Sequence, residues 1–223
     1  MPAIDDFIAH PRTFMRANVV MVMGTTGGTG GIKNFSFTKA TQTTARNMRN
    51  GGQAMDVYIL KLGDNAGQQL NAWWCPYSSN DRLGTTLPGA GGPNMMFTYA
   101  MDGCTFVTGS VQGDKTVSVF HVNFSNAAGA LGSGASDEAK AEQQRKLQRN
   151  VGRSLVTNAA MIDPDDYYEP TRAAVPIPHG AKISTVTFGR RSTQNGWKFY
   201  THQWYTVAGA RQTLCFIGTQ RAV

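Results

Sequence analysis

Cys104, which follows Gly103, and His121 are two side chains that can do chemistry together. A thiol at neutral pH attacks carbonyl carbon slowly until a base takes its proton. An imidazole within reach does this and stabilises the thiolate that results. A pair of this kind opens an amide through a thioester and releases ammonia or an amine. Gly103 suits such a site because it lacks a Cβ, so a substrate or a neighbouring backbone can come close, and its amide region can face a developing oxyanion.

Local structure has to bring the two groups together. The runs Cys104-Thr105-Phe106-Val107-Thr108 and Thr116 to Phe124 are rich in β-branched and aromatic residues, and the turn-rich stretch Gly109 to Asp114 separates them, so the pattern predicts a β-hairpin. Strand alternation puts His121 on the face that carries Val117 and Val119, which predicts a buried ring.

Phe97-Thr98-Tyr99, then three residues, then Gly103-Cys104, with a strand histidine further on, resembles the glutamine deamidase toxins of the Burkholderia lethal factor type. Those toxins share their catalytic design with the catalytic domain of the cytotoxic necrotizing factors and, more distantly, with the bacterial chemoreceptor deamidase. Trp73-Trp74-Cys75-Pro76-Tyr77 and Leu87-Pro88-Gly89 precede the cysteine in the same order, and a polar helical segment follows the histidine, so the likeness runs from about Asp56 to about Asn150. The resemblance implies Cys104 as nucleophile, His121 as general base and acid, and Thr98, six positions before the cysteine, as the residue that orients the imidazole. Gly103 and Tyr99 would serve the oxyanion and the substrate. It also implies a bacterial toxin or effector, a virulence factor that is a hydrolase and converts a glutamine of a host protein to glutamate, with transglutamination as a side reaction. The chain departs from the pattern in having Asp102 where the family favours serine, and in a longer interval between cysteine and histidine.

The rest of the chain narrows the choice. With 223 residues and no Pro-rich or charged linker, residues 1–223 read as one domain. No apolar run has spanning length, and the start Met1-Pro2-Ala3-Ile4-Asp5-Asp6 lacks the basic and apolar regions of a signal peptide. The expectation is a soluble monomer, made in the bacterial cytoplasm and delivered to a host cytosol by another route, with no membrane partner. Cys75, Cys104 and Cys215 are too far apart for a disulfide framework or a zinc site, so neither metal nor cofactor is expected. The formal charge is +7, but the basic residues are scattered apart from Lys140, Arg145, Lys146, Arg149 and Arg153, and a solvated helix face accounts for those without nucleic acid.

That helix is expected from Ser136 to Leu155, with Ser136 as cap, Asp137 and Glu138 at its positive end, and Leu147, Val151 and Leu155 as its apolar stripe. Strands are expected at Ala17–Met23, Asp56–Leu62, Leu70–Tyr77, Lys182–Phe188, Trp197–Thr206 and Gln212–Ile217, and a short helix at Thr38–Met48. Strands with one or two helices give an α+β fold of packed sheets. The resemblance adds that the mixed sheets form a β-sandwich-like core flanked by helices. Gly24 to Gly31 lacks the Gly-Lys-Ser/Thr ending of a phosphate loop and reads as a mobile surface loop. Asp163, Asp165, Asp166 and Glu169 miss the spacing of a calcium loop and read as a solvated turn, and Asn126 to Gly134 as a flexible connection. The loop Ser78 to Asn94 and the segment Ser125 to Gly134 would select the glutamine.

His179 and His202 stand in reserve as bases. Other classes also fit: Cys104 as a small buried hydrophobe and His121 as a structural histidine, a cysteine protease or amidase on the same pair, or a non-enzymatic β-rich binding module in which Trp73, Trp74, Trp197 and Trp204 form a platform for carbohydrate or nucleic acid.

Overall fold

A computed structural model describes residues 2–65, 67–110, 113–126, 134–167, 175–178, 181, 183–207 and 213–222. Two short helices, α1 (Ala3–Ala9) and α2 (Pro11–Ala17), lead into β1 (Asn18–Met23), β2 (Gly31–Lys39), β3 (Thr44–Asn47), β4 (Gln53–Leu62) and β5 (Gln68–Cys75). Then come β6 (Arg82–Leu87), β7 (Met95–Thr98), β8 (Thr105–Thr108), β9 (Val117–Val122), the long helix α3 (Asp137–Leu155), β10 (Ala160–Ile162), β11 (Ile183–Ser192), β12 (Gly196–Val207) and β13 (Thr213–Arg221). The fold is α+β, with a large mixed sheet in the order β1-β4-β2-β5-β7-β11-β12-β13-β3 and a small one in the order β10-β8-β9-β6. Because β3 pairs with β4 as well as with β13, the large sheet curls back on itself.

Aromatic residues fill the inside of that curl. Phe7 of α1 stacks on Phe37 of β2 with ring centroids 5.0 Å apart, Phe14 of α2 meets Tyr58 of β4 at 5.0 Å, and Phe35 packs edge-on to Trp74 and Phe97. Phe7 is fully buried, and burying a side chain of that size is worth about 1.5–3 kcal/mol, which is enough to dock a seven-residue helix that would not hold in water alone.

Period-two alternation gives β5 and β7 two packing faces. Leu70, Ala72 and Trp74, with Met95 and Phe97, point into the aromatic core. Cys75, Met96 and Thr98 point the other way, toward the small sheet, where Met96 and Cys75 join Cys104, Phe106, Val117, Val119 and Tyr167 in a second core.

The strands expected from the sequence lie within a few residues of their expected bounds, and so does the hairpin, in which β8 pairs with β9. The expected helix at Thr38–Met48 is absent: the chain finishes β2, turns, and enters β3, because pairing of Thr44–Asn47 with β13 and of Ala45–Asn47 with β4 overrides a weak local propensity. Ser78 to Asn94 is only partly a loop, since β6 runs through it and pairs with β9. α3 spans its expected range, and Ser136 Oγ accepts the Ala139 N–H. Its buried stripe, however, is Gln148 and Gly152, while Leu147 is 38 % exposed. A Cβ on Gly152 would sit 3.0 Å from Val107 and Met161 side-chain atoms, so a glycine sets how closely the helix approaches β8 and β10. The acidic turn is not simply solvated. Asp163 and Asp165 pair with Arg149 and Asp165 with Arg145, which neutralises much of the basic helix face. Glu169, His179 and residues 127–133 lie outside the described residues. Among the described residues no helix is long and apolar enough to cross a membrane.

His202, a reserve candidate for the base, does structural work at the centre of β12. The Val20 N–H, on the side of β1 away from β4, donates to His202 Nε2 at 3.1 Å. Nδ1 therefore carries the proton and donates to Thr219 Oγ1 at 2.9 Å, and Thr219 donates onward to the Met15 carbonyl. Burial lowers the His202 pKa from 6.5 to about 3. The unfolded chain binds this proton below 6.5 and the folded chain does not, so the contribution is complete above that pH and declines as pH falls toward about 3. The stability of the wild type in urea is expected to fall between about pH 6 and pH 4 by about 1.4 kcal/mol per pH unit from this residue. His202→Gln, which still offers an acceptor, should remove that part of the slope when both proteins are unfolded across the range.

Candidate active site

The space between the two sheets holds the site. From the large sheet, β7 presents Thr98, whose Oγ1 lies 2.7 Å from Nδ1 of His121 on β9. The register of the small sheet pairs Phe106 with His121 and Thr105 with Val122. One step further puts Cys104 level with Asn123, and the Asn123 Nδ2 donates to Cys104 Sγ at 3.1 Å. Cys104 and His121 therefore occupy diagonal positions on the same face of the hairpin, a relation that spans about 7–8 Å between backbones. Thr98, Cys104 and His121 all line this inter-sheet space.

The imidazole is fully buried, and burial lowers its pKa from 6.5 to about 3, so it is neutral at pH 7. Its Nε2 has no hydrogen-bond partner. In the tautomer whose Nδ1–H donates to Thr98, Nε2 carries the lone pair that a base needs. The Thr98 hydroxyl also hydrogen-bonds the thiol of Cys75, which is completely buried and whose pKa burial pushes far up; that thiol stays protonated. Cys75, Cys104 and Cys215 form no disulfide. Cys104 is 3 % exposed.

Gly103 has φ +129°, a backbone region that side chains disfavour, and this turns the chain from its bridge with β11 at Met101 and Thr185 into β8. Both polar groups of this residue are engaged. Its N–H donates to Tyr167 Oη at 2.9 Å, and its carbonyl accepts from Gln144 Nε2 and Gln148 Nε2 of α3 at 3.2 and 3.1 Å. Tyr167 donates in turn to the Cys104 carbonyl at 2.9 Å, and Thr105 donates to Gln148 Oε1 at 2.8 Å. In this arrangement Gly103 positions the cysteine, and its own N–H is already committed away from an oxyanion. Asp102 is exposed, two residues before the buried Cys104.

Tyr99 is half-buried and stacks on Tyr77 with centroids 5.3 Å apart, and the Tyr77 ring lies 4.7 Å from that of His121. Tyr77 Oη accepts from Asn123 Nδ2 at 3.3 Å. The Tyr77 segment is held from behind by the glycine-rich stretch, whose Gly27 N–H donates to the Tyr77 carbonyl at 2.6 Å. The stretch read as a mobile surface loop thus buttresses the site.

Asn123, Gln148 and Tyr167 carry no role in the sequence reading, and Tyr77 enters it only as the end of the aromatic-proline segment. Asn123 carried a usable signal, two residues beyond His121 on a strand and so on the same face. Gln148 and Tyr167 carried none, since each reaches the cysteine segment across more than forty residues. The tryptophans do not form an exposed platform. Trp74, Trp197 and Trp204 are buried, and Trp73 is half-buried with its indole N–H on the Pro93 carbonyl. Among the described residues no cluster of three or more His, Cys, Asp or Glu is placed to hold a metal ion.

No protein-family model matches this chain, and no curated protein matches it either.

Removing the Thr98 hydroxyl strands a buried ring nitrogen. Thr98→Val is expected to destabilise the fold by about 1–3 kcal/mol, as read by urea unfolding, whereas Thr98→Ser should stay near the wild type because it keeps the hydrogen bond.

Proposed function

We propose that the chain is a protein-glutamine deamidase of bacterial toxin or effector type, with Cys104 as nucleophile, His121 as base and acid, and Thr98 holding the imidazole. The observation that carries this reading is the 2.7 Å contact between Thr98 Oγ1 and His121 Nδ1, which leaves Nε2 as the unpartnered nitrogen on the face that Cys104 shares. A structural histidine in the same protein looks different: His202 has both ring nitrogens satisfied.

The chemistry is as follows. His121 Nε2 takes the Cys104 thiol proton, and the thiolate attacks the side-chain carboxamide carbon of a glutamine. The tetrahedral intermediate collapses as the imidazolium gives its proton to the departing nitrogen, so ammonia leaves and a thioester remains. Water, deprotonated by the same imidazole, then attacks the thioester. The C–S bond breaks, glutamate is released, and the thiol regains its proton. An amine in place of water gives transglutamination.

A proton acceptor with a pKa of about 3 is a poor base, so the buried pair is a resting form. Opening the Tyr77 side to solvent or to an incoming side chain would relieve the desolvation and restore a more ordinary imidazole. This requirement suits an enzyme whose substrate is presented on the surface of another protein, and a host protein remains the proposed partner.

Incubating the purified protein with eukaryotic cell lysate, beside Cys104→Ala and His121→Ala controls, is expected to convert a small set of glutamines to glutamate, seen by mass spectrometry with matching ammonia release. Both controls should lose at least about 1,000-fold in rate. Peptide cleavage that depends on Cys104 would replace deamidation by proteolysis, and no Cys104-dependent change of either kind would end the enzymatic reading.

A further inference from the structure

The committed N–H of Gly103 raises the question of what would stabilise the oxyanion at this site. We propose that Asn123 supplies that hydrogen bond through its side-chain N–H; the inference rests on the thiol chemistry proposed above and adds a residue to it. Asn123 is 7 % exposed, and all the hydrogen-bonding positions of its carboxamide are occupied in a way that fixes which end faces the cysteine. Its Oδ1 accepts from the Ser125 N–H at 3.0 Å and the Asn80 N–H at 3.4 Å. An acceptor held by two backbone donors forces the amide nitrogen to the opposite side, where one N–H meets Cys104 Sγ at 3.1 Å and the other meets Tyr77 Oη at 3.3 Å.

A donor so close to Sγ is well placed for what forms next. The carbon attacked by the thiolate is bonded to sulfur, and its oxyanion is one bond further, so a donor about 3 Å from Sγ reaches the oxyanion with a small movement. The amide carries no charge, so its burial is tolerated while the neutral thiol is at rest. When negative charge passes from sulfur to oxygen the same dipole stabilises it in a poorly hydrated space, without having to reorient. Asn123 thus places an oxyanion donor on the histidine strand, while the Gly103 N–H and the Gly103 and Cys104 carbonyls are held by Tyr167, Gln144 and Gln148.

The test uses the full chain and needs no identified substrate. N-acetyl-glutamate semialdehyde, the aldehyde counterpart of a glutamine side chain, adds reversibly to a thiol. The S–C bond forms, the carbonyl π bond opens, and the thiol proton ends on the new oxygen, giving a hemithioacetal whose oxygen occupies the oxyanion position. Adduct affinity is read as protection of Cys104 from iodoacetamide, quantified by mass spectrometry of the Cys104 peptide, with Cys75 and Cys215 as internal comparisons. Relative to wild type, Asn123→Ala and Asn123→Asp are expected to weaken the adduct about tenfold or more. Asn123→Asp retains an acceptor for Ser125 and Asn80, so it keeps the loop contacts if alanine loosens them. Equal adduct affinity in wild type and in a folded Asn123→Asp would overturn the assignment of Asn123 while leaving the reactive thiol intact. A wild-type Cys104 that forms no adduct would overturn both this inference and the thiol chemistry beneath it.

Discussion

One hydrogen bond, between Thr98 on the large sheet and His121 on the small one, joins the two sheets at the site. It exists only because both strands are in a particular register. On β7 the alternation that sends Phe97 into the aromatic core sends Thr98 the other way, and on β9 it gathers Val117, Val119 and His121 on the inward face. A slip of one residue in either strand would bury a polar group against phenylalanine or expose a valine. The aromatic packing around Phe7, Phe35, Phe37 and Phe97 therefore does more than stabilise the fold. By anchoring one face of β7 it determines what the other face offers.

The cysteine is placed by a second, polar arrangement. α3 docks with glutamines and a glycine where its sequence offers leucine and valine, because the surface it meets is the backbone of Gly103 and the hydroxyl of Thr105. An apolar face there would leave the Gly103 carbonyl unsatisfied in a buried place, and a buried unpaired carbonyl costs about 1–3 kcal/mol. The ion pairs of Arg149 with Asp163 and Asp165 tie the same helix to the segment that carries Tyr167. The helix and that tyrosine together hold the N–H and carbonyl of Gly103 and the carbonyl of Cys104. The φ of +129° at Gly103, a conformation open to glycine, is kept in place by this clamp.

Burial gives the site its electrostatic character. His121 and His202 lie equally deep and are neutral for the same reason, but their surroundings differ. His202 joins three elements by satisfying each ring nitrogen, as core histidines do. At His121 one nitrogen is oriented and the other is left without a partner, at a cost the fold bears beside a thiol and a carboxamide. Tyr77, stacked on Tyr99 and packed near the imidazole, lies over this group.

Much of this was legible in the amino-acid sequence. The β8–β9 hairpin, the burial of His121, the capped helix after Ser136 and the α+β class follow from local rules, since alternation, turn residues and capping depend on neighbours within a few positions. The short motif around Thr98 and Cys104 named Thr98, which meets His121, and Cys104, whose thiol meets Asn123. Thr38 to Met48 was misread because its propensities are weak and its fate lies with β4 and β13, which are distant in sequence. The stripe of α3 was misread because hydrophobic periodicity assumes an apolar stripe throughout, and here Gln144 and Gln148 meet the Gly103 carbonyl while Gly152 makes room for Val107 and Met161. The partners of Gly103, the orientation of Asn123 and the cover of Tyr77 were decided by tertiary structure alone. Each is a contact between segments tens of residues apart, set by how two sheets and a helix close around one buried space, and no local pattern encodes that closure.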